Sequence, residues 1–156
     1  MNYRIYPEGI DCVWVAVDRV GYLAIFVTAG QGPIPKVALD TDAIAIESIE
    51  EYIYTLPKIS NAKLLIAMPR PDDFIAMAER GFFVYDWRDM HRSEIDYKNC
   101  YELIAIPESP LIMRNMIPDT SVLLTNIRLN KTAYVDSQKI DIPALIECFS
   151  TKTTGV

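Results

Sequence analysis

Two apolar runs, Cys12 to Asp18 and Tyr22 to Thr28, face each other across Arg19-Val20-Gly21. β-Branched and aromatic side chains dominate both runs, and Gly21 falls where a tight turn requires positive φ. The chain is therefore committed to a β-hairpin close to its start. The segment that follows, Ala29 to Pro35, carries two glycines and two prolines and must be a shaped loop.

Further elements come from periodicity. Ser48-Ile-Glu-Glu51 matches a capping box, in which Ser48 and Glu51 cap reciprocally. Ile49, Tyr52, Ile53 and Leu56 then follow at helical spacing until Pro57. Ala62 to Met68 reads as a strand. Pro71-Asp72-Asp73 opens a second helix with its acids at the positive dipole end, Phe74, Met77 and Ala78 facing inward, Arg80 in the last turn and Gly81 closing it. Phe82 to Trp87 and Tyr101 to Ile106 read as strands joined by a polar loop over 88–99. Leu111 to Ile117 is expected to make a helical turn or two capped by Ser109. Ser121 to Leu129 and Thr132 to Asp136 read as a hairpin bending at Asn130-Lys131, and Pro143 opens a last helix before a tail, 150–156, expected to fray. Asp40 to Ile46 alternates too weakly to assign. The sum is one α+β domain over 1–156, a largely antiparallel sheet of five to seven strands with three or four short helices packed on it.

Of the 156 residues, 51% are hydrophobic and 23% charged, which excludes wholesale disorder and permits a sizeable core. The net charge of −6 has the wrong sign for gripping a phosphate backbone, so nucleic acid is not an expected partner. No apolar run approaches the ~18 residues of a membrane span, so no membrane role is expected either. The three cysteines, Cys12, Cys100 and Cys148, are odd in number, lack a CxxC and sit among apolar neighbours. They fit reduced, buried thiols, and the cytoplasm is the expected compartment.

Candidate chemistry is sparse. The single histidine, His91, lies among Asp86, Asp89 and Arg92. It reads either as a general base with an Asp and a cysteine or serine nucleophile, making a hydrolase or transferase, or as an exposed loop residue among charges. One histidine without HxxxH or CxxC builds no His-rich zinc site, and no cofactor motif is present. Gly30-Gln31-Gly32 invites a phosphate-loop reading, but GK[ST] is missing, the third glycine of GxGxxG is missing, and two prolines remove amide donors. A turn is the simpler reading. Ala78-Glu-Arg-Gly81-Phe-Phe is similar to the helix–glycine–strand step of N-acetyltransferases, yet no pyrophosphate loop accompanies it.

The electrostatic feature is sharper. Asp40, Asp42, Glu47, Glu50 and Glu51 occur within twelve residues without a base. Glu47, Glu50 and Tyr54 fall in one stripe opposite the helix's apolar face. Such a stripe is either a solvated face or a docking surface steering a basic partner, with tyrosines as anchors. Tyr85, Trp87 and Arg88 offer a second patch of hot-spot residue types, although Trp87 also suits a core.

The stretches Cys12 to Pro35, Arg70-Pro-Asp-Asp73 and Ala78-Glu-Arg-Gly81-Phe-Phe-Val-Tyr-Asp86 resemble small bacterial immunity proteins encoded beside polymorphic or contact-dependent toxins, over residues 12–90. The resemblance implies a cytosolic antidote that masks a cognate toxin domain, often a basic nuclease, and carries no functional motif with it. The expectation is a non-catalytic acidic binding protein with a protein partner. A homo-oligomeric subunit, a homodimer for instance, joined by a sheet edge or by 107–118, is the structural alternative.

Overall fold

The computed structural model describes residues 10–30, 32–40, 43–88 and 100–141. The first hairpin is present as β1 (Val13–Asp18) and β2 (Leu23–Val27), antiparallel with Trp14 opposite Phe26. Gly21 has φ 106°, the left-handed geometry the turn requires. The turn is fixed by the Asp18 carboxylate, whose Oδ1 accepts the backbone N–H groups of Val20, Gly21 and Tyr22, each at 2.9 Å.

After the hairpin come α1 (Lys36–Asp40), α2 (Ile46–Tyr54), β3 (Ala62–Leu64), α3 (Asp72–Glu79), β4 (Phe83–Arg88) and β5 (Cys100–Pro107). A 3-10 turn at Met113–Asn115, α4 (Pro118–Leu124), β6 (Arg128–Leu129), a second 3-10 turn at Tyr134–Asp136 and β7 (Lys139–Asp141) complete the described chain. The expected α+β class holds. All seven strands join one sheet in the order β3-β5-β4-β2-β1-β6, with β7 also pairing β5. The sheet is mixed: β1–β6 and β2–β4 are parallel, and β1–β2, β3–β5, β4–β5 and β5–β7 are antiparallel. A register shift between Val84 and Tyr85 marks a bulge in the β4–β5 pairing.

Several local expectations are corrected. Helix α2 starts at Ile46 behind Ala45, which makes no side-chain cap, so Ser48 lies inside the first turn and the Ser48–Glu51 capping box does not form. The start is set by burial, because Ile46, Ile49 and Ile53 together form the apolar stripe on the core. Residues 121–129 do not form a strand: Pro118 at the first turn and Asp119 behind it start α4, and only Arg128–Leu129 is extended. Nor does Ser109 cap a helix; its N–H donates to Ser60 Oγ at 2.8 Å, and the 3-10 turn begins after Ile112. The strand expected over 62–68 stops at Leu64, the hairpin strand expected over Thr132 to Asp136 is instead a 3-10 turn at Tyr134–Asp136 with β6 pairing β1, and α1 and β7 are additions. The helix expected from Pro143 and the tail 150–156 lie outside the described residues.

The core is built around aromatic side chains on one face of the sheet. Trp14 stacks on Phe26 with centroids 4.1 Å apart, Phe26 stacks on Tyr85 at 5.0 Å, and Tyr101 meets Trp14, Phe26 and Trp87 edge-on. Tyr134 closes this layer, its hydroxyl donating to Ala16 O at 2.7 Å. Helices α2 and α3 cover other parts of the sheet, α2 against β1 and α3 against β3, β4 and β5. Fully burying a side chain such as Ile53 contributes about 1.5–3 kcal/mol.

Candidate functional site

The charges that gather in space do so at the meeting of α2 and α3. Glu47 and Glu50 are one helical turn apart on α2; Glu47 and Glu51 are exposed and Glu50 is half-buried. The Tyr54 hydroxyl, one turn further on, donates to Glu50 Oε2 at 3.3 Å. Asp73, in the first turn of α3, and Asp11, just ahead of β1, both act electrostatically on Glu50. Burial raises the Glu50 pKa above the usual carboxylate range, the Tyr54 hydrogen bond opposes this, and Asp11 and Asp73 add to the rise. The Tyr54 phenol is pushed well above its ordinary range, first by burial and then by Glu50 and Asp73.

Arg80, the residue following α3, sits 5.4 Å above the Tyr54 ring. Its guanidinium is directed at backbone and away from the acids: Nε donates to Leu56 O at 3.0 Å, Nη1 to Ala76 O at 2.8 Å and Nη2 to Tyr54 O at 3.2 Å. It thus ties together the C-terminal ends of both helices. Among the described residues, none of Asp40, Glu47, Glu50, Glu51 and Asp73 forms an ion pair. The result is a carboxylate face with a phenol in it, and the Arg80 above that phenol is bonded to backbone carbonyls.

The other residues singled out in the sequence are placed as follows. Asp40 is exposed at the end of α1. Asp42, His91 and Asp89 lie outside the described residues, so the proposed general-base arrangement around His91 does too. Tyr85 and Trp87, expected as surface anchors, are core residues: Tyr85 is 0% and Trp87 4% exposed. The Tyr85 hydroxyl donates to Ser137 O, and both rings belong to the aromatic layer, so neither has a face to offer a partner. Arg88 ends β4, its backbone paired in register with Cys100.

Two alternative chemistries can be tested on geometry. Cys12 is buried, its Sγ lies 3.7 Å from Thr28 Oγ1, and burial foremost raises its thiol pKa, which disfavours the nucleophilic thiolate. In the glycine loop, the Gly30 N–H donates to Thr28 Oγ1 at 3.3 Å and the Gly32 N–H to Thr28 O at 2.8 Å. Those amides close a turn and do not point at a phosphate. Gly32 is required for another reason: a Cβ there would stand 2.9 Å from Tyr101 Cζ and 3.1 Å from Trp87 Cβ. Above it the Tyr101 hydroxyl donates to Pro33 O at 2.9 Å and accepts from Trp14 Nε1 at 3.2 Å.

An apolar cavity of about 20 Å³ lies where β1 meets α1, α2 and α4, lined by Trp14, Val15, Ala38, Ile49 and Leu124 among others. That is room for one water-sized body. Among the described residues no group of three or more His, Cys, Asp or Glu side chains could hold a metal ion. No helix among them is long and apolar enough to cross a membrane. Asp11 and Asp73 act on Glu50, and Arg80 stacks over Tyr54, although the sequence pattern did not link them to the stripe; Asp73 and Arg80 read only as helix-end residues.

Compared with models of protein families, with curated proteins and with solved structures, the chain matches none.

Proposed function

We propose that this protein is a non-catalytic binding module that docks a basic protein partner on the α2–α3 carboxylate face, in the manner of an immunity protein masking a toxin domain. The observation that carries the reading is the arrangement around Glu50. Glu50 sits half-buried on α2, hydrogen-bonded by Tyr54 and acted on electrostatically by Asp73 of α3 and Asp11 ahead of β1, while Arg80, over the Tyr54 ring, is directed at three backbone carbonyls. Unneutralised acids on a rigid helix pair raise the local concentration of a cationic partner and steer its approach. Glu47, Glu50 and Glu51 steer in this reading, Asp40 extends the field, and Tyr54 contacts the partner. A cytoplasmic setting suits the free, buried thiol of Cys12.

The test is kinetic. The product of the gene beside this one is purified and its association with the wild-type chain is measured at low and moderate salt. Glu47→Lys with Glu50→Lys is expected to slow association at low salt about tenfold or more and to flatten its salt dependence. An unchanged association rate would remove this face from the reading.

A further inference from the structure

We draw no further inference here: the strongest candidate, the cluster of Glu47, Glu50 and Asp73 where α2 meets α3, belongs to the surface already described, and among the described residues no buried unpartnered side-chain polar group points to a second ligand within it.

Discussion

The Asp18 carboxylate accepts the Tyr134 backbone N–H at 2.8 Å, joining the first hairpin to a 3-10 turn 116 residues later in the chain. Its other oxygen holds three amides of the hairpin turn. One side chain therefore sets a local turn and a long-range contact together. Asp18 is 4% exposed, so truncating it leaves donors without an acceptor in a place water reaches poorly. Asp18→Ala is expected to cost about 3 kcal/mol or more, and Asp18→Asn about 1–3 kcal/mol, because the amide can replace one acceptor only. Urea unfolding measures both; a loss under about 0.5 kcal/mol for the alanine variant would contradict this role.

Gly32 lies against Tyr101 too closely for any side chain. Gly32→Ala forces either the loop or the Tyr101 ring to move and is expected to destabilise by about 1–3 kcal/mol. The same shift disturbs the Tyr101 hydroxyl that receives the Trp14 indole N–H, so the emission of Trp14 should change in the folded state. Adding Tyr101→Phe should recover part of the loss, and the two changes should be non-additive.

Arg80 is irreplaceable by lysine if its planar fork is what joins the helix ends. Three carbonyls, on α2, on the segment just after it and on α3, are reached by three different nitrogens, which a point ammonium cannot reproduce. Arg80→Lys is expected to lose about 1–2 kcal/mol by urea unfolding with little change in net charge. A lysine variant as stable as wild type would show the bridge to be dispensable.

Glu50 has a folded-state pKa raised by burial and by Asp11 and Asp73, so folding disfavours its charged form. The folded chain then holds its proton longer than the unfolded chain does, and stability from this group falls as pH rises from the ordinary carboxylate range through the raised pKa. Glu50→Gln keeps an acceptor for Tyr54 and removes the charge. The variant is expected to gain stability relative to wild type at neutral pH and to show little difference well below the carboxylate range. Parallel unfolding curves at the two pH values measure this; equal differences at both would contradict it.

The first hairpin was legible because its information is local: two β-rich runs and a glycine in positive φ suffice. Helix α3 was legible for the same reason, with acids at its start and Gly81 at φ 99° just past its end. Ser48–Glu51 misled because a capping pattern that begins inside the first turn of a helix looks identical to one at its start, and only the burial of Ile46 distinguishes them. Val122 to Leu124 misled because short apolar runs carry no decisive period. In the site, the alignment of Glu47, Glu50 and Tyr54 follows from helical spacing, but the stripe borders the apolar face and does not lie opposite it, since Glu50 and Tyr54 are half-buried beside Ile46, Ile49 and Ile53. The approach of Asp11 and Asp73 does not follow from spacing, since it depends on how α3 packs beside α2. Tyr85 and Trp87 were ambiguous because a strand buried on both sides shows no polar alternation, and aromatics suit a core and an interface equally.

The neighbours of the first hairpin also bear on biosynthesis. β2 waits for β4 and β1 for β6, so a hairpin completed by residue 27 gains its last parallel neighbour only at residues 128–129. At ordinary translation speeds roughly 100 further residues take about 5–20 s to emerge. The β2 edge can pair once β4 has emerged, but the β1 edge stays unpaired by its eventual strand through the whole interval, a form chaperones bind and aggregates recruit.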